Sequence, residues 1–69
     1  MAKFVIYRDV RREYRWRLVA NNGEKIATSE GYVSKQGATN SAYNVKRLAK
    51  DATIEEESLT RALNKLLKK

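Results

Sequence analysis

Apolar and polar positions alternate with a period of two through the first third of the chain, most cleanly from Glu13 to Ala20. There Tyr14, Trp16, Leu18 and Ala20 fall on one side of an extended strand, and Glu13, Arg15, Arg17 and Val19 fall on the other. That is the pattern of a half-buried strand with its aromatic side turned inward. Before it, Lys3 to Arg8 (KFVIYR) is dense in β-branched and aromatic residues and predicts a first strand, with a polar turn from Asp9 to Arg12 between the two. In this first strand Val5 and Tyr7 lie opposite Phe4 and Ile6, on the face that also carries Arg15 and Arg17. Asn21-Asn22-Gly23 tolerates positive φ and predicts a tight hairpin into a third strand over Lys25 to Glu30.

The period then changes. Ser34 is a good N-cap, and Ala38, Ala42, Val45 and Ala49 recur at helical spacing, a narrow stripe of small residues that lets a helix lie close to a sheet. Leu48 and Tyr43 are expected to widen that contact at its edges, while Lys46, Arg47 and Lys50 complement the negative end of the helix dipole. A second helical pattern runs from Ser58 to Lys68, where Leu59, Ala62, Leu63 and Leu66 form a stripe and Arg61, Asn64, Lys65 and Lys68 lie off it. Glu55 to Glu57 before this segment and Lys65, Lys68 and Lys69 near its end suit the dipole, but about eleven residues are marginal as a free helix, so the stripe must dock. The periods together predict an α+β fold: a three-stranded antiparallel sheet, a helix, and a C-terminal amphipathic helix.

Length limits what this pattern achieves. A chain of 69 residues is one domain, and a core of that size seldom contributes more than about 3 to 5 kcal/mol. With no cysteine and no histidine, disulfides cannot reinforce it, and no zinc site or histidine-based triad is available. Self-association is the remaining route to stability. The lack of cysteine fits a reducing compartment, and no leader or membrane-spanning pattern stands out, so a cytoplasmic protein is expected.

Charge adds one strong signal: fifteen Lys and Arg against eight Asp and Glu leave +7, which raises nucleic acid as a partner. Residues 3–35 hold eight positive and four negative charges, residues 36–50 three positive and none negative, and residues 51–69 four of each. The candidate phosphate-binding residues are Arg11, Arg12, Arg15, Arg17 and the cluster Lys46, Arg47 and Lys50, with Tyr7 beside the sheet arginines as in sheets that stack single-stranded bases. Arginine stems lying along the sheet to cover apolar surface explain the same face without any ligand. Catalysis has little to work with. Asp9, Glu24 and Asp51 fall in turns where solvation keeps carboxylates ordinary, and Glu13 and Glu30 read as salt partners of arginines. Gly23, Gly31 and Gly37 are isolated and make no phosphate-cradling loop, so no enzyme, cofactor or metal is expected.

Three segments, KFVIYRD, EYRWRLVANNGEKIATSEGYVSK and NVKRLAKDATIEE, resemble the YegP-like family of small proteins of unknown function over roughly residues 2 to 56. The most specific elements are YRWRL, the turn ending in NG, and SEGY followed by Ser34-Lys35 at the helix start. The resemblance implies a short fourth strand after the helix (βββαβ), with residues 1–57 as the family domain and 58–69 as an extension. It also implies that two repeats or two subunits exchange their fourth strands to form one continuous sheet. Only one repeat is present here, so the resemblance implies a homodimer in which Thr53, Ile54, Glu55 and Glu56 cross to the partner. Val5 and Val19 stand where family members often carry charges, and the chain runs on with SLTRALNKLLKK. The leucine stripe of the extension is therefore expected to pack on the open sheet face, against Val5, Tyr7 and Val19 of its own or the partner subunit, the alternatives being a frayed tail or a helix that binds a different protein. The functional expectation is a non-catalytic interaction module, with protein as a further partner and nucleic acid as the alternative.

Overall fold

A computed structural model describes residues 1–58 together with 63, 65 and 66. Strands β1 (Lys3–Arg8), β2 (Tyr14–Val19) and β3 (Lys25–Thr28) form one antiparallel sheet in the order β1-β2-β3, followed by the helix α1 (Lys35–Lys50). The register pairs Phe4 with Leu18, Val5 with Arg17, Ile6 with Trp16 and Tyr7 with Arg15, so the alternation seen in the sequence becomes two distinct faces.

Each boundary has a local cause. The β1–β2 turn is closed by Asp9, whose Oδ1 accepts from the backbone N–H of Arg11 and of Glu13, each at 2.9 Å, and whose own N–H donates to the Glu13 carbonyl at 2.8 Å. This uses up Glu13, and β2 begins at Tyr14 rather than Glu13. Arg12 occupies the left-handed region at φ 67°, a costly conformation for a residue with a side chain. In the second turn Gly23 sits at φ 87° and Asn22 accepts from Glu24 N–H at 3.1 Å, as the Asn-Gly pair requires. β3 stops at Thr28, two residues short of the expected end, because Ser29 turns its hydroxyl into the ladder. Trp16 N–H donates to Ser29 Oγ at 2.9 Å in place of a strand carbonyl, while Ser29 N–H still donates to Trp16 O.

Helix α1 starts as the sequence requires, with Ser34 Oγ accepting from Gly37 N–H at 3.0 Å. Its small stripe lies on the inner sheet face, where Ala38 and Ala42 are buried against Trp16 and its neighbours. Phe4 meets Trp16 edge to face at a centroid distance of 5.1 Å. The indole N–H donates to Ser41 Oγ at 3.0 Å, and Tyr32 O–H donates to the same oxygen at 2.8 Å. Leu48 is exposed and does not widen the helix–sheet contact, whereas Tyr43, although largely exposed, lines the groove between α1 and β1 with Phe4, Ile6 and Leu18. Among the described residues, Trp16, Ala38 and Ala42 are the buried hydrophobics, so the single chain has a very small core.

After α1, residues 52–58 take no regular structure, and Thr53 and Ile54 stand exposed outside the sheet. Of the expected C-terminal stripe, Leu63 and Leu66 are helical and exposed, while Leu59 and Ala62 lie outside the described residues. Lys65 pairs with Glu57.

Candidate functional site

The sequence offered seven basic residues for one binding surface, and the fold distributes them over three places. Arg11 and Arg12 occupy the β1–β2 turn, exposed, at the end of the sheet where the Tyr14–Tyr32 bridge brings in the start of α1. Arg15 and Arg17 lie on the outer sheet face, with the partners Tyr7 and Val5 that the register gives them. Lys46, Arg47 and Lys50 lie on α1, which packs on the inner face, so they point away from the sheet arginines.

The two sheet arginines have different environments. Arg15 donates from Nε to Asp9 Oδ2 at 2.6 Å and from Nη1 to the Ser29 carbonyl at 2.8 Å, and its Nη2 lies 4.0 Å from Glu13 Oε1. One guanidinium thereby ties together the β1–β2 turn, the second strand and the end of the third. Its donors are committed within the chain. Arg17 instead lies flat over the Tyr7 ring at 4.3 Å, and Arg8 lies over Tyr14 on the other face at 5.4 Å. Val5, Tyr7 and Val19, the expected seat of the C-terminal helix, are half-buried on the outer face.

Asp9 has a displaced titration. The Arg15 guanidinium, together with the Glu13 and Arg11 amides, holds its carboxyl below the ordinary value of 3.8. A depressed folded pKa means that the charged carboxylate stabilises the fold above 3.8 and that this stabilisation is lost as pH falls through the lower, folded value. The melting temperature of the wild type is therefore expected to exceed that of Asp9→Asn at neutral pH, with the gap closing once the pH drops below 3.8. Thermal melts across that range check it, and a gap that persists unchanged into strong acid would remove the ion pair from the explanation. The sequence placed Asp9 in a solvated turn and assigned Arg15 to phosphate. What it missed was their contact, for which the signal available was the Asp-x-x-x-Glu spacing around a turn that Asp9 can cap.

A shallow groove of about 390 Å³ runs between β1 and α1, floored by Phe4, Ile6, Leu18 and Ala42 and rimmed by Lys3 and Lys46. Among the described residues β1 pairs only with β2, so the edge beside this groove carries backbone groups outside the ladder. Ile54 is 94% exposed on the segment that follows α1. Among the described residues, no cluster of three acids or other ligands is placed to hold a metal ion, and no helix is long and apolar enough to cross a membrane.

Comparison with known proteins agrees with this architecture. Residues 9–56 match a family described as a domain of unknown function, DUF1508. A UPF0339 protein of Treponema denticola is 44% identical over 54 residues, which cover 78% of this chain and 93% of that one. A UPF0339 protein of Stutzerimonas stutzeri, described as lying in the ptx operon 5′ region, is 50% identical over 48 residues, which make up 70% of this chain and 43% of that protein. Among solved structures, the NMR solution structure of a Haloferax volcanii protein is similar at a TM-score of 0.71 and 46% identity, covering 81% of this chain and 95% of that one. The solution structure of ATU0232 from Agrobacterium tumefaciens is similar at 0.68 and 41% identity, covering 81% and 90%. None of these relatives carries an enzymatic name.

Proposed function

The chain belongs to the DUF1508 family, and from that premise we propose that it is a small, basic, non-catalytic interaction module that works as a homodimer in the cytoplasm. The observation that carries the reading is the mismatch between what one chain buries and what it exposes. Trp16, Ala38 and Ala42 make the core, while Ile54 stands in solvent and the outer edge of β1 stays unpaired above an apolar groove. A second copy corrects both faults. In this reading Thr53–Glu56 of each protomer becomes a fourth strand on β1 of its partner and joins two sheets into one, which covers the β1 edge of each protomer. Ile54 fills the groove over Phe4 and Ile6. Glu56, on the same side of an extended strand, meets Lys3 at the rim. The Stutzerimonas stutzeri protein supports this, since 48 matched residues make up 43% of it and leave room for a second such domain in the same chain. The C-terminal leucine stripe then lies on the outer sheet face, over Val5 and Val19 and beside the Arg17–Tyr7 pair.

Light scattering at micromolar concentration tests the dimer. A species of about twice 8.0 kDa is expected, and Ile54→Lys, which places a charge in an apolar groove, is expected to return the 8.0 kDa monomer. A wild type found only at 8.0 kDa would overturn the reading.

A further inference from the structure

The outward face of α1 carries a run of amides and cations that core packing does not explain. The helix runs sixteen residues, KQGATNSAYNVKRLAK, without one acid. Helical geometry collects Gln36, Asn40, Tyr43, Asn44, Arg47 and Lys50 on the side away from Ala38 and Ala42, as a stripe about 21 Å long at about 1.5 Å per residue. The stripe is ordered by its own bonds: Gln36 Nε2 donates to Asn40 Oδ1 at 2.8 Å, and Arg47 donates to Asn44 Oδ1. Its second half lines a shallow depression with Lys46 on the flank. Tyr43 stands in the middle, 68% exposed, where it borders both this depression and the groove beside β1.

We infer that this helix face binds single-stranded nucleic acid, with Lys46, Arg47 and Lys50 on phosphates and the Tyr43 ring as a stacking platform for a base. Charge complementarity selects the class of ligand: a face with cations, side-chain amides and no carboxylate attracts a phosphate chain and repels little of it. The exposed ring selects the single strand, because an unstacked base offers a free π-face and a paired base does not. The cations gather along one half of the stripe, a path for one backbone, whereas a helix lying in a duplex groove is flanked by two. Dipole complementarity explains why Lys and Arg favour the last turns of α1, but it accounts neither for Tyr43 nor for the missing acids. The sheet arginines are less available, since Arg15 is tied to Asp9 and Ser29 and Arg17 lies on Tyr7.

The test is fluorescence anisotropy of a labelled twelve-nucleotide oligo-dT, titrated with the full chain. Three phosphate contacts give a slope of about −2 in log affinity against log salt, so binding should weaken about tenfold between about 50 and 150 mM salt. Tyr43→Ala is expected to weaken it about tenfold, within the range of base–aromatic stacking. Arg47→Gln with Lys50→Gln should weaken it at least as far and flatten the salt slope, with an unchanged circular dichroism spectrum. Arg11→Gln with Arg12→Gln removes the same net charge from the far end of the molecule and should change affinity less than about twofold if the helix face is the site. No binding at low salt would overturn the inference, as would an equal loss from the Arg11 and Arg12 pair, or a duplex of the same length binding more tightly than the single strand.

Discussion

Trp16→Ala is expected to leave the protein unfolded at room temperature. Truncating a buried aromatic to alanine costs about 3–5 kcal/mol, as much as a core of this size supplies. Here the loss is concentrated: Trp16 touches Phe4 edge to face, anchors α1 through Ser41 and is one of three buried hydrophobics among the described residues. Trp16→Phe separates packing from polarity. It keeps an aromatic against Phe4 and loses the indole N–H, for an expected cost of about 1 kcal/mol, since Tyr32 still donates to Ser41 Oγ. Circular dichroism with denaturant titration checks both variants. A Trp16→Ala protein that melts within a few degrees of wild type would mean that the stability resides elsewhere, with subunit contact the first place to look.

The second large effect concerns the residues beyond α1. If the proposed exchange holds, deleting residues 51–69 is expected to abolish the dimer and most of the stability in one step, because it removes Thr53–Glu56 from both protomers. Deleting residues 58–69 alone is expected to preserve the dimer, lower the melting temperature by a few degrees and raise binding of a hydrophobic dye as the outer sheet face is uncovered. The pair of deletions distinguishes the roles of the two segments. Loss of the dimer with the shorter deletion would move the subunit contact to the C-terminal helix, whose Leu63 and Leu66 are exposed in the single chain. An unchanged melting curve, with fast amide exchange in the intact protein's tail, would remove docking on Val5, Tyr7 and Val19.

The three strands, the Asn-Gly hairpin, the Ser34 cap and the Ala38–Ala42 part of the α1 stripe were legible in the sequence, because each depends on residues within a few positions of one another, whereas Ala49, expected on the same stripe, is exposed. A period of two or of 3.6 states which side a residue occupies, and Arg17 indeed lies on the face of Tyr7. What a period does not state is which side chain on that face takes which partner. The contact of Arg15 with Asp9 and the Ser29 carbonyl spans 6 and 14 residues, and the bond from Trp16 to Ser41 spans 25. These depend on strand register and on how the helix crosses the sheet, quantities that appear only once the chain has folded. For the same reason, seven cations that look like one basic surface in the sequence become a turn, a sheet face and a helix face. Composition is counted along the chain, whereas a binding surface is assembled across it, and only the tertiary structure decided that Arg15 holds the fold together while Arg47 and Lys50 face solvent.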